Sequence, residues 1–202
     1  MAQRHFPAIT RNRLIYAGLG GGVVAIFVVI WLFVFGGAYG IAADEPHTTP
    51  VFWVLNHVRD SSIAARAKGI AVPGDLSDPT RISAGAGLYN EMCTACHLAP
   101  GMQPTEMSQG LYPKAPEFSR GNDLSSAEKF WVIKHGIKMT AMPAWGITHN
   151  DTLIWDMVAF LNKLPSLTPA QYQAAVKSAP ADHDEMMKDM QPDGDGHTGH
   201  SH

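Results

Sequence analysis

The tightest constraint on what this chain can fold into is the pentapeptide Cys93-Thr94-Ala95-Cys96-His97, because it holds both cysteines of a 202-residue sequence. Two thiols separated by two residues, with a histidine straight after the second, open three chemistries. A thioredoxin-like redox pair needs a strand–helix–strand setting, and the flanking residues read as helix. A structural zinc site needs two further ligands at matching spacing, and the sequence has no second cysteine pair. The third chemistry is covalent attachment of a c-type haem. There, thiols about one helical turn apart form thioethers with the two vinyl groups on one edge of the macrocycle, and the next side chain lies under the iron.

The compartment helps to choose. From Leu14 to Ala43 no residue is charged, and the run GGVVAIFVVIWLFVF is apolar throughout. A helix from about Leu14 to Gly36 would be roughly 34 Å long, against a hydrocarbon core of about 30 Å. A cleavable secretory signal has an apolar region of only about 7 to 15 residues. The run therefore reads as an uncleaved anchor, although Ile41-Ala42-Ala43 would serve as a cleavage exit. Arg4, Arg11 and Arg13 precede the span, and Asp44 and Glu45 follow it. That asymmetry keeps the amino terminus in the cytoplasm and exports everything from about Asp44 onward, to the periplasmic side of a bacterial inner membrane. On an exported chain with no other cysteine, the haem reading is favoured, with His97 as proximal iron ligand. From Asp44 onward, 12 basic and 18 acidic side chains leave a formal charge of −6, most of it in the tail after Pro180. No basic face for nucleic acid is implied.

A haem iron in an electron carrier needs a sixth ligand, commonly a methionine thioether. The stretch KHGIKMTAMPAWG offers Met142, followed by Pro143, whose fixed φ and missing N–H stiffen the backbone beside a ligand. Met139 lacks that proline. His135 at a helix end and His149 before a helix start read as ordinary structural histidines, and Met92, Met102, Met107 and Met157 as packing residues.

Taken together, CTACH, Ala115-Pro116-Glu117-Phe118 and MPAW resemble the class I c-type cytochromes over roughly Arg81 to Leu164. The resemblance implies one covalent haem c, with His97 and Met142 on the iron. It also implies that Gly85 and Tyr89, eight and four positions before Cys93, pack against the last helix. The family's proline carbonyl that accepts the proximal histidine's ring N–H maps to Pro116, with Pro100 and Pro113 as alternative alignments. Such a bond orients the ring and fixes its tautomer. Ala141, Ala144 and Trp145 are expected near the haem rim.

The expected fold is all-α: a class I cytochrome c fold around one haem, preceded by one transmembrane helix. Asp78-Pro79 opens a helix carrying Ile82, Gly85, Leu88 and Tyr89 on one face. Ser125 and Glu128 form a capping box, with Gly136 as the terminator of that helix. A third helix opens at Asn150 or Asp151 and stops at Pro165. Thr49 can cap a juxtamembrane helix with Pro50 in its first turn, a stripe of Val51, Val54, Leu55, Val58 and Ile63, and a stop at Gly69. Its sticky face is expected to pack on the haem domain or on another subunit.

The divisions expected are a cytoplasmic segment 1–13, an anchor 14–43, a juxtamembrane helix and linker 44–80, a haem domain 81–166 and an extension 167–202. The extension ends in a polar His/Met-rich tail with the composition of a disordered segment, and its imidazoles and thioethers suit copper. Gly18-x-x-x-Gly22 and Gly36-x-x-x-Gly40 allow close approach of a transmembrane helix partner.

The function expected is one-electron transfer rather than enzyme catalysis. Its partners would be a quinol-oxidising complex and a terminal oxidase or dehydrogenase, met either as a tethered carrier or as a fixed haem subunit. The alternatives are a haem sensor or peroxidase with a labile Met142, and a copper-handling protein with an accessory haem.

Overall fold

The computed structural model describes residues 8–180, and among them there is helix and no strand. The chain divides into two units, Met1–Glu45 and Pro46–His202.

The first unit is built on α1, Ala8–Val34. Its stretch Asn12–Val34 is long and apolar enough to cross a membrane, and none of it is buried within the protein. The helix stops two residues short of Gly36, where it was expected to end. Gly37 takes φ +62°, and the Leu32 carbonyl accepts the N–H groups of both Gly36 and Ala38, closing the last turn. Gly36 and Gly40 therefore lie beyond the helix, and only Gly18 and Gly22 remain as a close-approach pair on it.

The second unit opens with α2, Thr49–Ala67, whose cap residue is Thr48 rather than Thr49, with Pro50 in the first turn. Only the carboxy-terminal part of its apolar stripe is covered. Ile63 and Ala67 are buried, whereas Val54, Leu55 and Val58 stay exposed. This buried end packs on α6, Ser126–His135, where the Arg66 guanidinium lies 5.9 Å from the Trp131 ring centroid.

Helix α3, Pro79–Met92, starts where Asp78 accepts the Thr80 N–H at 2.7 Å. It crosses α7, Asp151–Lys163, capped by Asn150, in the most extensive contact of the unit. The crossing needs a glycine. A Cβ on Gly85 would sit 2.0 Å from the Asp156 carbonyl oxygen and 2.8 Å from Phe160 Cβ. Tyr89 and Phe160 pack beside it with ring centroids 5.5 Å apart. Arg81 locks the far end, with Nη1 2.6 Å from Asp156 Oδ1 and Nε 2.9 Å from Asp75 Oδ2. Burial raises the pKa of Asp156, and the bond from Arg81 opposes that shift.

Beyond the expected haem domain, α8, Pro169–Lys177, folds back on α3. Thr168 and Gln171 form its capping box, and the buried Tyr172 hydroxyl donates to Asn90 Oδ1 at 2.9 Å. Residues 167–178 are thus part of the packed unit, not of a separate extension. The His/Met-rich tail lies outside the described residues.

Replacing Gly85 by alanine forces α3 and α7 apart, because the atom met is backbone. Overpacking of this kind costs about 3 kcal/mol, so chemical denaturation of G85A should show a midpoint clearly below wild type; an unchanged midpoint would refute the crossing.

Candidate functional site

Helix α3 ends at Met92, Cys93 follows, and the next turn, α4, Thr94–His97, carries Cys96 and His97; a further short helix, α5, Glu106–Gly110, comes after it. The chain leaves α4 through Leu98, at φ 59° and ψ 179°, a region that is otherwise almost restricted to glycine and costs of order 1–3 kcal/mol. The Tyr89 hydroxyl holds this bend by donating to the Leu98 carbonyl at 2.6 Å. Burial pushes the Tyr89 hydroxyl pKa upward, keeping it a neutral donor.

His97 is buried, and its Nδ1 lies 2.8 Å from the Pro116 carbonyl oxygen. A carbonyl can only accept, so Nδ1 carries the proton and Nε2 keeps its lone pair for a metal. Phe118 packs on the imidazole at 4.7 Å between ring centroids. Burial lowers the pKa of His97, and the Pro116 bond opposes that. Pro116 precedes a short 3₁₀ turn, Phe118–Arg120, so the Ala115–Phe118 segment both orients and covers the ring.

Met142 lies on the segment after α6. Gly136 takes φ +65° and ψ −171°, again a glycine-only conformation. A Cβ there would be 2.7 Å from the Met142 carbonyl oxygen and 2.7 Å from the Pro143 carbonyl carbon. The Ile137 N–H donates to the Met142 carbonyl at 3.2 Å, and the Met142 N–H to Thr140 Oγ1 at 3.1 Å. Gly136 therefore lets the Met142–Ala144 backbone fold directly onto the end of α6. Met139 points elsewhere: it is 99 % exposed, at φ 61°.

Both segments contribute to the lining of a cavity of about 370 Å³. Cys93, Cys96, His97, Met142 and Trp145 all line it, together with apolar side chains of α3, α6 and α7. Among the described residues no other histidine lines it, so neither His135 nor His149 joins His97 there. His149 instead meets the Trp145 ring edge-on at 5.3 Å. Met92 and the fully buried Met157 line the cavity too, whereas Met102 and Met107 are surface residues rather than packing ones. Met107 Sδ lies 3.2 Å from Cys96 Sγ.

The volume falls in the range of ligand and cofactor sites, about 300–1,000 Å³. Both thiols are free, and burial pushes Cys93 up to about 12. A redox-active dithiol needs the opposite shift, toward a lowered thiol pKa. No cluster of metal-ligating His, Cys, Asp and Glu side chains occurs among the described residues. A large apolar cavity with two thiols, one metal-ready imidazole and one thioether on its walls fits a covalently held, iron-bearing macrocycle. It does not suit a bare metal ion.

The family model described as cytochrome c oxidase, cbb3-type, subunit III matches residues 80–161. Residues 80–161 are a c-type cytochrome domain. Such a domain implies haem c and electron transfer. A curated relative, the quinohemoprotein alcohol dehydrogenase of Comamonas testosteroni, is 31 % identical over 115 residues, which is 48 % of this chain and 16 % of the relative. The chain thus spans less than a fifth of that relative's length. No solved structure matches.

Two features of the cytochrome domain's surroundings escaped the sequence reading. The α2 residues Arg59, Asp60 and Ile63 also line the cavity, although they lie well before residue 80. The signal was present, since Ile63 belonged to the apolar stripe, but nothing in the pattern said which partner covers that stripe. Leu98 is the other: a leucine gives no sequence sign of a positive φ.

Proposed function

We propose that this chain is a membrane-anchored, mono-haem electron carrier. Cys93 and Cys96 would hold a haem c through thioether bonds, and His97 Nε2 and Met142 Sδ would be the ligands to its iron. The observation that carries this reading is that both thiols, the His97 imidazole and Met142 line one apolar cavity. When bound, haem c supplies a one-electron iron couple whose potential rises with a thioether axial ligand and with burial.

The protein's part is to keep both ligands still. The Pro116 carbonyl and the Phe118 ring hold the imidazole, and Gly136, Thr140 and Pro143 hold the methionine backbone. Two ligands fixed by their own backbones leave little to rearrange when the charge on the iron changes, and they leave no open position for a substrate. Ala141, exposed and on the cavity wall, together with Ala144 and Trp145 marks the apolar rim where electrons enter or leave.

We place α1 in a bacterial inner membrane with its amino terminus cytoplasmic and the cytochrome domain periplasmic. Arg4 before α1, Arg11 and Arg13 in its first turns, and the acids after it support that orientation. The matched family is described as an oxidase subunit and the curated relative is a dehydrogenase. Both favour a fixed haem subunit of a respiratory oxidase or dehydrogenase complex over a free shuttle. A chain solubilised from its native membrane in mild detergent should then run on sizing with other subunits; migration alone would favour the shuttle.

The ligand set is tested by the weak far-red absorption band that ferric haem shows when a thioether sulfur is bound. The band should be present in wild type and absent in Met142→Ala, and the reduced wild type should not bind carbon monoxide. A wild type without the band that binds carbon monoxide would replace this reading with a sensor or peroxidase.

A further inference from the structure

Helix α2 lies wholly before residue 80, where the match to the cytochrome family begins. It is nevertheless part of the cavity. Its end, where Ile63 and Ala67 are buried, packs on α6, and one turn before Ile63 the residues Arg59 and Asp60 line the cavity. Arg59 sits at the solvent boundary, with 37 % of its side chain exposed.

The remaining charged side chains on that wall are Asp60, Lys114 and Lys129. Lys129 is already engaged, its Nζ donating to Asn162 Oδ1 at 2.8 Å. Lys114 sits two residues before Pro116, on the strand of chain that holds His97. Arg59 differs from both. Among the described residues it makes one polar contact, from Nε to Asp60 Oδ1 at 2.8 Å. A guanidinium has five N–H donors in a planar fork, so both terminal nitrogens keep their donors. That fork matches a carboxylate with two parallel hydrogen bonds.

A haem c carries two carboxylates on the edge remote from its vinyl carbons. Once the vinyl edge is tied to Cys93 and Cys96, the carboxylate edge must meet solvent or a cation. We propose that Arg59 is the counter-ion of that carboxylate edge, so that α2 completes the cofactor site from outside the cytochrome domain. Asp60 then acts as a competing acceptor that shares the guanidinium with the cofactor. The juxtamembrane helix is by this account part of the haem site and a control on its potential. The inference rests on the haem reading of the cavity.

The test is the midpoint potential of the full-length protein and its variants, read as the electron-exchange equilibrium with a reference couple. Removing a positive charge disfavours the state that has gained an electron, so Arg59→Gln should lower the potential. The expected shift is roughly threefold to tenfold in that equilibrium, tenfold being 59 mV for one electron. Arg59→Lys keeps the charge and should recover most of the loss. Asp60→Asn should move the potential the other way, and it serves even where Arg59→Gln yields no holoprotein. Arg66→Gln, on the same helix but bonded to Ser62 and stacked on Trp131, should leave the potential unchanged.

Opposite signs at two neighbouring positions are not what loss of helix packing would give. Wild-type potentials for both Arg59→Gln and Asp60→Asn, or shifts of the same sign, would overturn the proposal. A wild type without any haem absorption would instead overturn the reading on which it rests.

Discussion

The backbone contact between α3 and α7 at Gly85 governs where everything else in the cytochrome domain can sit. With no side chain at that position, the Asp156 carbonyl comes to within 2.0 Å of where a Cβ would be. With the helices this close, Tyr89, one turn further on, packs against Phe160 with its ring tilted and sends its hydroxyl onward to the Leu98 carbonyl. That bond holds the bend directly after His97. The position of the cysteine pair thus follows from a glycine eight residues before it, through a chain of contacts in which each atom has one place to go.

The opposite wall obeys the same logic with a different glycine. Gly136 ends α6 in a conformation closed to side chains and lets the Met142 backbone lie against the helix end. The cavity is the gap left between two rigid constructions. Most of its lining is apolar. The same rigidity suits an electron carrier, since a site that barely relaxes when its charge changes loses little energy to reorganisation. In such a site the remaining lever on the potential is the surrounding charge, and α2 brings an arginine to it.

Much of this was legible in the sequence because the determinants are local. A capping box at Ser125 and Glu128, Asp78 before Pro79, and the five residues Cys93–His97 each announce themselves within one turn of helix. Pro116 was reachable through its place between two motifs, and its carbonyl does lie on the His97 ring. What escaped was non-local or carried by residues without a signature. α8 begins with a capping box of its own, Thr168 and Gln171, but its reason to exist is Tyr172 reaching Asn90 across the fold. The partner of the α2 stripe could not be read from the stripe, and half of that stripe remains exposed. The end of α1 depended on which of two adjacent glycines turned first.

The central claim is that the two cysteines exist to hold one haem, and the mass of the intact, denatured protein tests it most directly. The account predicts the sequence mass plus one haem, retained under denaturing conditions and confined to the peptide that contains Cys93 and Cys96. A mass equal to the bare sequence, or one lighter by the two hydrogens of a disulfide, would contradict it.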